Sequence, residues 1–206
     1  VAHVLCGKPA STFPEHALMR IVGGRLRGRA LAAPKSQAIR PTADRLRESL
    51  FNVLAHAYGD PVTDARVLDL FAGTGALALE ALSRGAHFAL LIDNAAEARA
   101  LQRDNVTALG VGGTARIFRR DATALGAAHP IEPFGLAFLD PPYRQGLAER
   151  ALASARAGGW LSGDALVVVE EAADAAFKAP EGYVELERRP YDDSELIFLR
   201  TTSFRA

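Results

Sequence analysis

Asp140-Pro141-Pro142-Tyr143 is the segment of this chain best equipped for chemistry. It follows an apolar run, Phe134-Gly135-Leu136-Ala137-Phe138-Leu139, that reads as a buried strand. Proline donates nothing to a sheet ladder, so the Pro-Pro pair stops the strand abruptly. The residue before each proline is held extended. The carbonyls of Asp140 and Pro141 then have no ladder to serve and can face a cleft beside the Asp140 carboxylate, with the Tyr143 ring as a flat wall. Acceptors grouped with a stacking surface suit a planar substrate bearing an NH2 group, such as a nucleobase or a side-chain amide. Read alone, the four residues fit an ordinary strand-ending loop equally well.

A second motif tips that balance. Val67-Leu68-Asp69-Leu70-Phe71-Ala72-Gly73-Thr74-Gly75-Ala76 reads as a strand, a Gly-rich turn and the start of a helix. Gly73 and Gly75 allow a ligand close to the backbone at the strand tip, and Asp69 and Phe71 flank the turn. Asp93 closes the next strand about 20 residues on, where an acid can take ribose hydroxyls. Asp121-Ala122 follows the third strand and can accept from an adenine amino group, although a cap for the following turn explains Asp121 equally well. Together these residues are the generic signature of an adenosine-containing cofactor. A dinucleotide is a live rival, because Gly73-Thr74-Gly75-Ala76-Leu77-Ala78 fits its fingerprint with a final Ala. Against it, Asp69 puts a negative charge near a pyrophosphate, whereas the ammonium of S-adenosylmethionine would be attracted.

The elements that must position these residues follow from periodicity. Strands are expected over residues 66–71, 88–93, 114–118, 136–139 and 165–170, and helices over 76–83, 95–109 and 147–157. Strands over 183–188 and 195–200, separated by a turn at 190–193, should pair antiparallel. The fold class is therefore α/β, a Rossmann-like, mostly parallel sheet with a C-terminal antiparallel hairpin. Residues 19–60 form a basic appendage, residues 61–206 the main domain, and residues 1–18 a frayed extension ahead of a start at Met19. Gly23-Gly24 and Gly28 suggest a β-hairpin over 20–31, and Thr42 an N-cap of a helix whose apolar face is Leu46, Leu50, Phe51, Val53 and Leu54.

Formal net charge is zero, but its distribution is uneven. Residues 19–50 carry eight basic residues against Asp44 and Glu48, whereas residues 151–199 carry ten acids against four bases. A basic N-terminal region on a neutral chain suits a polyanion site of limited size, although a solvated charged surface is the plainer reading. Cys6 is the only cysteine, which excludes a disulfide framework and a cysteine-based zinc site. No metal site is expected. No apolar run approaches the ~20 residues of a membrane span. The chain reads as cytoplasmic, and nothing in it demands more than a monomer.

Asp69-Leu70-Phe71-Ala72-Gly73-Thr74-Gly75 with Asp140-Pro141-Pro142-Tyr143 resembles the class I S-adenosylmethionine-dependent amino-methyltransferases. The stretches Met19-Arg20-Ile21-Val22-Gly23-Gly24-Arg25-Leu26-Arg27-Gly28-Arg29 and Arg40-Pro41-Thr42-Ala43-Asp44-Arg45-Leu46-Arg47-Glu48-Ser49-Leu50-Phe51-Asn52 narrow the resemblance to the bacterial RsmD family. That resemblance covers residues 19 to about 200. It implies methyl transfer to the exocyclic N2 of a guanine, G966, of 16S rRNA, within an assembling small ribosomal subunit. It implies S-adenosylmethionine at Asp69, Phe71, Gly73, Gly75, Asp93, Asp121 and Ala122, and chemistry at Asp140, Pro141, Pro142 and Tyr143. It implies rRNA phosphates on Arg20, Arg25, Arg27, Arg29, Arg45 and Arg47, with Thr42 near the substrate. Solvated surface residues and helix ion pairs explain those arginines in a blander way, Arg45 and Arg47 most of all. Rival readings are adenine-N6 or protein-glutamine methylation, an RNA-binding module with a dead cofactor site, and, weakest, a nicotinamide-dependent oxidoreductase.

Overall fold

A computed structural model describes residues 19–34 and 41–202, the side chains of residues 41–43 excepted. The extension expected before Met19 lies outside the described residues.

Seven strands form one sheet: β1 (Arg66–Leu70), β2 (Phe88–Ile92), β3 (Ala115–Phe118), β4 (Phe134–Leu139), β5 (Leu161–Ala172), β6 (Tyr183–Tyr191) and β7 (Ser194–Thr201). Their order is β3-β2-β1-β4-β5-β7-β6. The first five are parallel, and β7 pairs antiparallel with both β5 and β6. Helices α1 (Pro41–Ala57), α2 (Ala76–Ser83), α3 (Ala96–Leu109) and α4 (Leu147–Ala157) cover it.

Strand periodicity sorts the core into two layers. Val67, Leu91, Phe138, Val168 and Phe198 pack with Phe51, Leu54, Leu79 and Val106 of α1, α2 and α3. Leu68, Leu90, Ala137, Val167 and Ile197 pack with Ala151 and Leu152 of α4 and with Trp160. Phe51 is 1% exposed and meets Phe138 with ring centroids 5.6 Å apart. Burying such a ring contributes about 1.5–3 kcal/mol. After β1 the chain winds outward through β2 and β3, then returns to place β4 on the other side of β1. That reversal opens a crevice at the carboxyl ends of β1 and β4, where α/β folds bind ligands.

Two local expectations are refined. Residues 20–31 fold back on themselves as an irregular hairpin rather than a regular ladder: Ile21 N–H donates to the Arg29 carbonyl at 3.0 Å, Gly28 N–H to the Ile21 carbonyl at 2.8 Å and Leu31 N–H to the Met19 carbonyl at 2.7 Å. They make one isolated antiparallel bridge, Arg20 to Ala30, around a single 3-10 turn, Gly24–Leu26. Three donors near the tip find partners on α2 instead: the N–H groups of Val22 and Gly23 donate to the Glu80 carboxylate at 2.8 and 2.7 Å, and Leu26 N–H donates to Ser83 Oγ at 2.9 Å. Gly24 lies so close to the end of α2 that a Cβ there would sit 2.0 Å from the Ser83 carbonyl oxygen. The loop is thus paired with itself at its base and moulded onto α2 at its tip. At the C-terminal hairpin, the turn is shorter than expected. Pro190 and Tyr191 stay in β6, and only Asp192 and Asp193 turn, with Asp192 at φ 50°. Pro190 is tolerated because β6 is an edge strand.

Candidate active site

The carboxyl ends of five parallel strands are in register. Leu70 pairs with Ile92 and Leu139, Ile92 with Phe118, and Leu139 with Val169. The next residues, Phe71, Asp93, Arg119, Asp140 and Glu170, therefore stand in a row along one edge of the sheet. Sequence-expected cofactor and catalytic residues are neighbours in this row.

The turn after β1 is backbone held away from the common basins. Phe71 has φ 59°, Gly73 53° and Gly75 81°. A non-glycine residue in that region costs on the order of 1 kcal/mol and is typical of ligand-holding turns. The two glycines differ in purpose. A Cβ on Gly73 would meet nothing nearer than the Phe71 carbonyl oxygen at 3.9 Å, so the space above it is open. A Cβ on Gly75 would strike Leu91 Cδ2 at 2.5 Å, so Gly75 is required by packing beneath the turn.

Asp93 braces the same turn. Its Oδ2 accepts from Gly73 N–H at 2.9 Å and its Oδ1 from Ala95 N–H at 2.8 Å, the second being the helix-start role that competes with ribose binding. Each oxygen retains a second lone pair for a hydroxyl. Asp121 does serve as a cap. Its Oδ1 accepts from the Thr123 hydroxyl at 2.7 Å and the Thr123 N–H at 2.8 Å, and these bonds lower its pKa. Ala122 beside it is buried.

Asp69 departs from its expected place. It is 1% exposed and accepts from Ala78 N–H at 3.0 Å, in the first turn of α2. Strand alternation points it under the glycine turn, where it caps a helix whose N-cap, Gly75, has no side chain to offer. Burial pushes its pKa up to about 7, the Ala78 bond opposes that, and Asp93 adds to it. Its carboxylate therefore does not reach the cleft surface to touch a cofactor.

Asp140 and Pro141 lie past the last β4–β5 pair, so their carbonyls have no sheet partner. Pro141 is buried and Pro142 exposed. The Asp140 pKa is raised well above the ordinary carboxylate range by enclosure and by the neighbouring carboxylates of Glu170, Asp69 and Glu171. Asp140 itself lies open at the cleft, and the like charges beside it add to the rise that enclosure causes. Tyr143 is half-buried and donates its hydroxyl to Glu170 Oε1. This edge presents acceptors and negative charge almost throughout. Such a set fits a cationic, phosphate-free nucleoside and repels a pyrophosphate. The open face of Gly73 and the remaining lone pairs of Asp93 fit S-adenosylmethionine.

A family model described as Conserved hypothetical protein 95 matches residues 19–200. Ribosomal RNA small subunit methyltransferase D of Escherichia coli K12 is 42% identical over 162 residues, spanning 76% of this chain and 78% of that protein. The chain belongs to the RsmD family of methyltransferases. The Haemophilus influenzae protein of the same name is 32% identical over 173 residues, 83% of this chain and 88% of that one. A solved Escherichia coli structure, the candidate methyltransferase yhhF, superposes with a TM-score of 0.76 at 34% identity, over 91% of this chain and 99% of that chain. The fold is that of a class I methyltransferase, and the chain is an enzyme of that kind.

The basic residues of this RsmD-family chain separate into two groups. Arg20, Arg25, Arg27, Arg29 and Arg45 are exposed. Arg29 also donates to the Ala108 carbonyl at 2.6 Å, and Arg20 lies 3.6 Å from Asp44. Arg47 is corrected: it is 4% exposed and cannot reach a phosphate. Its Nη2 donates to Asp44 Oδ1 at 2.7 Å and to the Arg20 carbonyl, and its Nε lies 3.6 Å from Glu80 Oε2. Thr42 is not the N-cap, because α1 begins at Pro41.

Sequence reading missed the residues that hold the site. Gln102, fully buried on α3, donates to the Gly73 carbonyl at 3.0 Å, and Asn105 donates to the Thr74 carbonyl at 3.0 Å. Asn105 also binds both the N–H and the carbonyl of Ala32, at 2.6 and 3.1 Å. Glu80 gathers the basic loop, Arg47 and Arg84. A polar residue on the inward stripe of a helix, as these are, is the only signal the chain carries for them.

Proposed function

We propose that this methyltransferase uses S-adenosylmethionine to methylate the exocyclic N2 of a guanine in small-subunit ribosomal RNA, G966 by family resemblance. The observation that carries the reading is the acceptor-only edge: Asp140, with Glu170 and Glu171 beside it, next to the glycine turn. The Watson–Crick edge of guanine offers two adjacent donors, N1–H and N2–H2, whereas adenine offers a donor beside an acceptor. An ionised Asp140 matches the first and repels the second.

When bound, S-adenosylmethionine supplies an electrophilic methyl group on a sulfonium centre. The glycine turn and Phe71 would hold it, with Asp93 on the ribose and Asp121 and Ala122 at the adenine. Asp140 and the Pro141 carbonyl accept the two N–H bonds of the amine, which localises its lone pair. Fixing the amine so supplies much of the rate, and Asp140 stabilises the positive charge that grows on nitrogen. The proton then leaves to solvent. Tyr143 stacks on a base that is unpaired or flipped out of its helix. Exposed Arg20, Arg25, Arg27, Arg29 and Arg45 hold phosphates and position rather than specify.

The test is methyl transfer from labelled cofactor to hypomethylated small subunits and naked 16S rRNA, followed by nucleoside identification. N2-methylguanosine is expected. N6-methyladenosine would keep the fold and refute the substrate. Asp140→Ala should lose turnover by about 100-fold or more while retaining S-adenosylhomocysteine binding; an active variant would refute the mechanism.

A further inference from the structure

The loop that carries Asp140 and Tyr143 is gripped from β5 by two consecutive acids. Glu170 Oε1 accepts the Tyr143 hydroxyl. Glu171, 2% exposed, accepts the Arg144 N–H at 2.9 Å with its Oε1. Arg144 has φ 61°, so the residue directly after the ring sits in the left-handed region. Such a conformation persists where surrounding contacts over-determine it. Neighbouring strand residues point to opposite faces, so the two acids hold the loop from two sides.

We propose that Glu170 is a positioning residue for catalysis, orienting the Tyr143 ring against the substrate base through its hydrogen bond from β5. This rests on the methyltransferase reading above. A phenol that only stacks needs no half-buried carboxylate partner, and an ion placed there by chance would be costly to desolvate. The carboxylate is placed where two tasks meet. Its hydrogen bond fixes the ring about the terminal torsion, which is otherwise broad. Its charge acts on Asp140 together with those of Asp69 on β1 and Glu171 on β5. Around Glu170 itself stand Tyr143 on the β4 side, Asp193 in the turn, and Ser194 at the head of β7.

Three variants separate the two tasks. Glu170→Gln keeps an acceptor for the phenol and removes the charge. Glu170→Ala removes both, and Tyr143→Phe removes the hydroxyl alone. Steady-state methylation is measured for each across pH, with S-adenosylhomocysteine affinity and urea midpoints as controls for folding. Glu170→Ala and Tyr143→Phe should each raise the KM for RNA about tenfold, the worth of a hydrogen bond to a charged group, and the double variant should add little more. Glu170→Gln should hold KM within a few-fold. It should also move the acid limb of kcat/KM to lower pH, because Asp140 loses a like charge and ionises more easily. Additive KM effects would overturn the proposal, and an acid limb unmoved in Glu170→Gln would refute the action of its charge on Asp140. If the wild-type protein binds the cofactor product yet methylates no RNA, the functional reading fails instead. The urea midpoints of wild type, Glu170→Ala, Tyr143→Phe and the double variant then show whether the Glu170–Tyr143 coupling exists.

Discussion

Arg47→Met decides between a phosphate ligand and an internal strut. The sequence places Arg47 in a basic stretch; the structure buries it at 4% exposure among Asp44, Glu80 and the Arg20 carbonyl. Removing one member of a buried ion pair costs about 3–5 kcal/mol when the other is left bare. Here the survivors are partly provided for. Glu80 keeps the N–H groups of Val22 and Gly23 and the Arg84 guanidinium at 2.7 Å, and Asp44 reaches solvent. Met also preserves the packing of the Arg stem. A loss of about 2–3 kcal/mol is therefore expected. With a urea slope of about 2–3 kcal/mol/M for a chain of this size, the unfolding midpoint should fall by about 1 M. RNA affinity should keep its dependence on salt, since no phosphate contact is removed. Arg25→Ala is the mirror experiment. Arg25 is exposed and makes no ion pair among the described residues, so stability should hold. The salt slope should drop by about 0.7–0.9 for one lost contact. An Arg47→Met protein of unchanged midpoint but shallower salt slope would refute the internal assignment.

Other substitutions test the glycine turn and its supports. Gly75→Ala combines φ 81° with a 2.5 Å clash against Leu91 and should cost about 2–4 kcal/mol in urea unfolding; Gly73→Ala, strained but unobstructed, should lose S-adenosylhomocysteine affinity more than stability. Asn105→Leu leaves Ala32 and Thr74 backbone groups unpaired, at about 1–3 kcal/mol each, and should weaken S-adenosylhomocysteine in titration calorimetry. Asp69 has a folded pKa of about 7, above the ~4 of an unfolded aspartate. Its contribution is therefore complete below about pH 4 and lost as pH rises through 7. Asp69→Asn, neutral throughout, should gain stability relative to wild type between pH 5 and pH 8. Parallel stability curves for the two proteins would refute the buried, proton-holding state of Asp69.

The parts legible in the sequence are those whose cause is local. Strand and helix periodicity located every element of the main sheet, α2 and α4 to the residue, because the apolar pattern of each segment follows from what covers it. Asp93 and Asp140 fell where expected because a strand of known length ends there. What the chain hid was the partner of each polar group. Val22 and Gly23 look like hairpin donors until Glu80, almost sixty residues on, takes their N–H groups. Arg47 resembles its exposed neighbours in type and differs only in which face of α1 meets α2. Glu170 and Glu171 end a hydrophobic strand that a local reading closes at an ordinary polar boundary. Only the registry of β4 with β5 brings them to Tyr143 and Arg144.

The basic loop also limits how this enzyme could be re-engineered. Its tip rests on Glu80 and Ser83 of α2, its returning strand on Asn105 of α3, and Met19 Sδ accepts from the Thr74 hydroxyl at 3.4 Å. Asn105 and Thr74 also brace or form part of the glycine turn, and α2 begins directly after it. The loop is consequently not a cassette. A graft of residues 19–34 onto another methyltransferase would arrive without its seat, and re-seating it would mean rewriting the two helices that shape the host's own nucleoside pocket.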